Sequence, residues 1–204
     1  MLKVRDFIQN KTVRAAVWIL VATSGVPAAA RAQEVTLSFV PQQTILNFTL
    51  GDVLHTVHGT FNLKSGVVRF NPATNAISGE IVVDARTGDS GSATRDRKMH
   101  KDILESERYP EVTFRPDHVE GTVPAQGSAT VQVHGVFGLH GAEHEVIVPA
   151  QVELAHNHWT LTVHFDLPYV AWGLKDPSTL ILRVSKTVAI DLRASGRSPW
   201  TAQP

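Results

Sequence analysis

The chain has 204 residues, of which 43% are hydrophobic and 19% are charged, a composition typical of a globular protein. Basic and acidic residues both number 19, but residues 1–32 hold five of the basic residues and one of the acidic residues. The rest of the chain therefore has 14 basic and 18 acidic residues, a net charge of −4 that argues against nucleic-acid binding. The absence of cysteine excludes disulfides, thiolate metal sites, a cysteine nucleophile and a lipid-modified N-terminal cysteine.

The first 32 residues have the pattern of a bacterial secretory signal. A polar, basic segment precedes the apolar run Ala15–Thr23, and small residues follow at Ala30 and Ala32. The alternative is a membrane anchor, but this run is about half of the ~20 residues that a helix needs to cross a hydrocarbon layer. We predict cleavage after Ala32, export to the periplasm and no stable membrane anchor in the processed protein.

From Val35 onward the sequence alternates apolar and polar residues with the two-residue period of β-strands. The clearest of about nine such runs is Trp159–Leu167. In the run His58–Phe70 the apolar phase shifts, which predicts a β-bulge or tight turn at Gly66. Because no long helix is available to cover a sheet, the strands of residues 33–196 have to enclose one interior, as a sandwich or a closed barrel. Residues 197–204 are predicted to be a loose tail.

One stretch, Gly88–Phe114, interrupts the alternation. Its apolar residues Ala93, Met99 and Ile103-Leu104 follow a loosely helical spacing among charges, and Tyr109-Pro110 closes it. A short helix between two blocks of strands predicts a plug or lid on a β structure rather than a separate layer.

Several motifs of this chain resemble the YceI-like family, in order from about Val35 to Ala194. They are Phe61-Asn62, Ser65-Gly66, Phe70-Asn71-Pro72, Arg95-Asp96, Tyr109–Phe114, Leu139-His140-Gly141 and Val146–Pro149. The spacing between Arg95-Asp96 and Tyr109-Pro110 is the most specific part of the resemblance. It implies an all-β, lipocalin-like antiparallel β-barrel of about eight strands, with a short helix between strand blocks, in the bacterial periplasm. It also implies an elongated apolar pocket for a polyisoprenoid, such as an isoprenoid quinone tail or a related long-chain amphiphile.

A protein that binds such a chain needs apolar length and flexible lining rather than catalytic groups, because burial of hydrocarbon contributes about 0.8 kcal/mol per CH₂. The candidate lining residues are inward apolar side chains expected near the helix: Phe48, Phe61, Phe70, Met99, Ile103, Leu104, Phe114 and Phe165. The competing interpretation is that these side chains fill an ordinary core. Trp172 is a further candidate, either at the pocket mouth or in a buried corner of the barrel.

Arg95 and Asp96 are neighbours that point about 100° apart on a helix, so each is expected to need its own partner. One interpretation is that they hold the helix on the barrel rim through hydrogen bonds. The other is that Arg95 faces an oxygen of a ligand headgroup, since a buried guanidinium requires an acceptor.

The prediction is a non-enzymatic carrier without a cofactor or a metal. The pairs His156/His158 and His140/His144 lack the further converging ligands that a metal site needs. Ser90 lies in a Gly-Asp-Ser-Gly segment similar to that around the nucleophile of trypsin-like proteases, but a turn rich in Gly, Asp and Ser explains the same residues. Two alternatives stay open: a ligand-free barrel acting as an interaction or stress-response module, with a filled interior, and a secreted hydrolase using Ser90.

Overall fold

The structure is a computed structural model that describes residues 34–51, 55–179 and 183–197. These residues form nine strands: β1 Val35–Phe39, β2 Thr44–Gly51, β3 Thr56–Asn71, β4 Ala76–Asp89, β5 Glu111–Glu120, β6 Gly127–Leu139, β7 Ala142–Ala155, β8 His158–Leu167 and β9 Val188–Gly196. A 3₁₀ turn, Pro41–Gln43, joins β1 to β2. Between β4 and β5 lies the helix α1, Ala93–Lys98, which continues into a π-helical turn, Met99–Ile103.

Some predictions concern residues outside these ranges. The secretory segment 1–32 with its cleavage site and the tail residues 198–204 lie outside the described residues. Within the described ranges, no helix has both the length and the apolar character needed to span a membrane.

The strands β2 to β9 close into an eight-stranded antiparallel barrel. Neighbours along the wall follow the order β2-β9-β8-β7-β6-β5-β4, and β3 closes the ring by pairing with β2 on one side and β4 on the other. The short β1 pairs with the second half of β3, from Val35 opposite Phe70 to Phe39 opposite Gly66. The predicted all-β, lipocalin-like barrel with one short helix between strand blocks is confirmed.

The strand register defines two ends of the barrel. At one end, called the closed end, Trp159 pairs with Leu154 and Gly196, and the edge of the Phe39 ring meets the Trp159 ring at 5.3 Å between centroids. Trp159 is only 2% exposed, so this end is filled by side chains. At the other end, called the mouth, β8 and β9 meet at Leu167 and Val188, and the chain leaves β4 to form α1.

The predicted irregularity in β3 exists, but it lies before Gly66. The register of β3 against β4 shifts between Leu63 and Ser65, and the buried side moves from Leu63 to Val68 and Phe70. Gly66 itself is in regular register, and the Phe39 side chain covers it. A Cβ atom added at Gly66 would lie 2.8 Å from the Cβ atom of Phe39 and 3.2 Å from the first carbon of its ring. The glycine therefore makes room for an aromatic ring, and Lys64 is the extra residue of the bulge.

Candidate ligand-binding cavity

The barrel encloses one elongated cavity of about 910 Å³ that runs from the closed end to the mouth. All nine strands contribute inward side chains to its wall, because alternate residues of each strand face the interior. These side chains are apolar along most of the cavity, and charged groups line it at the mouth. Such a volume falls within the range of ligand pockets in proteins, about 300–1,000 Å³.

Nine of the ten predicted site residues line this cavity: Phe48, Phe61, Phe70, Arg95, Met99, Ile103, Leu104, Phe114 and Phe165. The position of Phe70 differs from the expectation that it lies near the helix. Phe70 packs against Val119 and Val131, toward the closed end, because it lies in the half of β3 that pairs with β1.

Trp172 does not line the cavity. Its ring stacks on the His144 imidazole with centroids 4.1 Å apart and planes 4° apart, and it lies 5.6 Å from the Phe137 ring. The chain turns back after β8, where the Trp172 amide donates to the Pro168 carbonyl. The expectation that Trp172 lines the cavity at its mouth is therefore not met, and the alternative position, a partly buried corner of the barrel, is the one observed.

The mouth brings charged groups from two segments to one end of an otherwise apolar space. The helix side contributes Arg95, Lys98 and Asp102, and the loop that follows Gly173 contributes Lys175 and Asp176. Tyr169, at the base of that loop, donates its hydroxyl to the Ser185 carbonyl at 2.7 Å, and burial, with the charge of Asp176, raises its pKa to about 12. The arrangement of an apolar interior and a charged rim matches an amphiphile with a long hydrocarbon tail.

Ser90 anchors α1 to the end of β4. The Asp96 Oδ1 atom accepts hydrogen bonds from the Ser90 amide at 2.9 Å and from the Ser90 hydroxyl. Arg95 donates from Nε to Ser90 Oγ and from Nη2 to the Ser90 carbonyl, both at 2.8 Å. Arg95 and Asp96 thus share one partner, rather than having one each, and the interpretation that they hold the helix on the barrel is the one this geometry supports.

Burial of Asp96 acts to raise its pKa, but the hydrogen bonds from Ser90 and the charges of Arg95 and His100 outweigh it and lower the pKa. The carboxylate is therefore ionised at neutral pH. The Ser90 hydroxyl gives its hydrogen to this carboxylate and, among the described residues, none of its hydrogen bonds is to a histidine. This differs from a serine nucleophile, whose hydroxyl needs a base that takes up its proton.

A second anchor, which the sequence did not reveal, joins the π-helical turn to β4. His100 Nε2 lies 2.9 Å from the Gly88 carbonyl, which can only accept, so Nε2 carries the hydrogen. In the neutral ring Nδ1 then accepts from the Ser106 hydroxyl at 3.1 Å, and Ser106 is only 3% exposed. No local pattern marks His100 and Ser106, because their partners are set by how the turn folds back onto the strand.

The histidines that raised the question of a metal have other contacts. His156 Nδ1 pairs with the Gln126 amide at 3.1 Å, and the His140 ring packs against the Tyr109 ring in a tilted arrangement with centroids 4.4 Å apart. In the part of the chain that the structure describes, there is no cluster of three or more His, Asp or Glu side chains that could hold a metal ion.

Comparison with known proteins identifies a family model that matches this chain and solved structures with a similar fold. A family model described as the YceI-like domain matches residues 37–195. No curated protein sequence matches the chain. Among solved structures, BcnA of Burkholderia cenocepacia has a TM-score of 0.64 at 18% identity and covers 78% of this chain and 99% of its own.

Two other solved structures have the same fold. A polyisoprenoid-binding domain from Saccharophagus degradans, implicated in plant cell wall breakdown, has a TM-score of 0.58 at 16% identity, over 79% of this chain and 98% of that domain. A YceI protein of Campylobacter jejuni has a TM-score of 0.57 at 15% identity, over 69% of this chain and 85% of its own.

Proposed function

This chain belongs to the YceI-like domain family, and we propose that it binds a polyisoprenoid or a similar long-chain amphiphile, with the tail in the barrel and the polar headgroup at the mouth. The observation that carries the proposal is the continuous apolar cavity of about 910 Å³, which ends at a charged rim. The Saccharophagus degradans domain with the same fold is a polyisoprenoid-binding domain, which supports the ligand class.

The size of the cavity favours an occupant over a void. The cavity walls are apolar along most of their length, so the side chains that face an empty cavity lack partner atoms for dispersion contacts. Water is a poor substitute, because apolar walls offer it few hydrogen bonds. A hydrocarbon chain fills the same space without that loss.

The affinity available from such a chain is sufficient. At about 0.8 kcal/mol per CH₂-sized group, one isoprene unit contributes about 4 kcal/mol. Binding has to offset an estimated 4–15 kcal/mol of lost freedom, so about four buried units are enough for stable association. An isoprenoid quinone tail has this character, and we propose it as one candidate ligand.

The proposed site of action is the periplasm, on the strength of the signal-like segment that ends at Ala32. There the barrel would shield the hydrocarbon from water during carriage or storage. The ligand-free alternative required an interior filled by side chains, and the cavity argues against it.

The direct test is extraction of the protein after expression in a bacterium that exports it. Organic solvent followed by mass spectrometry is expected to release an isoprenoid or similar long-chain amphiphile in near-equimolar amount. The matched control is the same protein with Val163, which lines the cavity, replaced by Trp. Equal recovery from the two proteins indicates surface-adsorbed lipid, and no recovery from either, with the fold intact, contradicts the proposal.

A further inference from the structure

The barrel wall is split between β7 and β8 toward the mouth. These strands pair from Ala155 opposite His158 only as far as Ala150 opposite Val163. Within the described residues, positions 142–149 of β7 pair with β6 alone, and positions 164–167 of β8 pair with β9 alone. The first residue beyond the ladder is Pro149, which has no N–H to donate, as expected where a strand becomes an edge.

A shallow groove lies on the outer surface at this split. Its apolar lining consists of Val146, Ile147, Pro149, Pro168 and Trp172, and Ile147 is 59% exposed. The exposed polar residues His164 and Asp166 line the groove as well. Phe165 lines both this groove and the main cavity. The groove and the cavity are therefore separated by side chains at a place where the β-ladder has ended.

Aromatic side chains fill the split. Phe165 meets Phe137 with ring centroids 5.9 Å apart, Phe137 meets Trp172 at 5.6 Å, and Trp172 stacks on His144 at 4.1 Å. Opening the wall here requires rotation of side chains and displacement of the turn that carries Trp172. Opening the wall along a paired stretch of two strands requires breaking a ladder of backbone hydrogen bonds, which costs far more free energy.

We propose that this split is a side portal, through which the apolar chain of the ligand enters and leaves the cavity after docking in the outer groove. The inference rests on the proposed function, since it needs a hydrocarbon ligand. At the mouth a chain has to pass Arg95, Lys98 and Lys175, which are hydrated charges. At the side portal the chain passes between aliphatic and aromatic side chains, and the two polar residues that also line the groove, His164 and Asp166, are exposed and can keep their water.

The test uses the absence of cysteine from the chain. Ile147→Cys in the full-length protein is coupled to a bulky maleimide, which places an obstruction in the outer groove. The matched control is Ile45→Cys with the same label, because Ile45 is 57% exposed on β2 and lines neither the groove nor the cavity. Exchange of a fluorescent geranylgeranyl-chain probe between protein and neutral phospholipid vesicles is followed by stopped flow.

The label at position 147 is expected to slow both association and dissociation about tenfold, with the probe Kd unchanged within about twofold, since an obstructed route changes rates and not equilibrium. The label at position 45 is expected to change neither rate. Trp172→Ala, which removes part of the aromatic filling, is expected to raise both rates.

Equal rates for the two labelled proteins, or a change confined to dissociation, overturn the portal. These results are separable from failure of the proposed function. If the unlabelled protein does not bind the probe, the proposed function fails and the portal falls with it. If binding is normal and the label at position 147 leaves exchange unchanged, only the portal is wrong.

Discussion

Ser90 and Asp96 face each other across the junction between β4 and α1, and two hydrogen bonds from Ser90 end on one carboxylate oxygen. Arg95 completes the junction by donating to the hydroxyl and the carbonyl of the same serine. A helix of six residues has little stability of its own. This junction therefore holds in place the segment that carries Met99 and Ile103 over the cavity.

Replacement of Asp96 by Asn preserves the shape of the junction and removes its charge. We expect a loss of about 1–2 kcal/mol in the free energy of unfolding, because hydrogen bonds to a charged acceptor are stronger than those to a neutral one. Urea denaturation at pH 7 measures this change in the free energy of unfolding. The control is Asp102→Asn, an exposed residue on the same segment, for which a change within about 0.5 kcal/mol is expected. Equal effects at the two positions contradict the anchoring role.

The contribution of Asp96 is expected to depend on pH. Because its folded-state pKa lies below the ordinary value of 3.8, the stabilisation is fully present above that value and is lost as pH falls through the lower folded-state pKa. The difference in unfolding free energy between the wild type and Asp96→Asn should be constant from pH 7 to about 5 and shrink below about 4.

The same denaturation series separates Asp96 from Asp84. The hydrogen bond from Arg86 lowers the Asp84 pKa to about 2. The wild type and Asp96→Asn therefore both lose the stabilisation that ionised Asp84 provides when this carboxylate is protonated in acid. Its contribution cancels in the difference between them. A difference that grows on acidification would contradict the assignment to Asp96.

Substitution of Val163 by Trp is expected to obstruct the cavity without altering the outer surface. Val163 lines the cavity, whereas its neighbour Thr162 points outward and is exposed. We expect Val163→Trp to weaken binding of a geranylgeranyl probe at least tenfold, which corresponds to about 1.4 kcal/mol or more. Equilibrium fluorescence titration measures it, and Thr162→Trp, with the same added ring on the other face, should leave Kd unchanged. Equal affinities in the two variants would place the probe outside the barrel.

The closed end is expected to tolerate no added volume. A Cβ at Gly196 would lie 2.7 Å from Nε1 and 2.8 Å from two carbons of the Trp159 ring, which is buried. Gly196→Ala should therefore destabilise the fold by about 1–3 kcal/mol, as overpacked cores do. Thermal denaturation measures the effect. Gly51→Ala is the control, since a Cβ there meets nothing within 4 Å, and a loss as large in that variant would refute the packing argument.

Much of the barrel could be predicted from local patterns. Alternation such as that of Trp159–Leu167 assigns strands and their inward faces without knowledge of partners, because it depends only on the two-residue period of an extended chain. The interruption at Gly88–Phe114 likewise located the helix. The inward faces of the strands supplied five of the nine cavity-lining residues, and the helical segment supplied the other four. In β3 the pattern indicated a bulge but placed it at Gly66, because a phase shift does not show which residue is left unpaired.

Other features depend on where distant segments meet. The stacking of Trp172 on His144 follows from register and chain reversal. The contacts of Arg95 and Asp96 with Ser90, and of His100 with Gly88 and Ser106, lie within one segment and depend on how its helical turns fold against the end of β4. The split beside Pro149 depends on where the β7–β8 ladder stops. A strand pattern tells which side chains turn inward, but the volume they leave between them is a property of the closed wall.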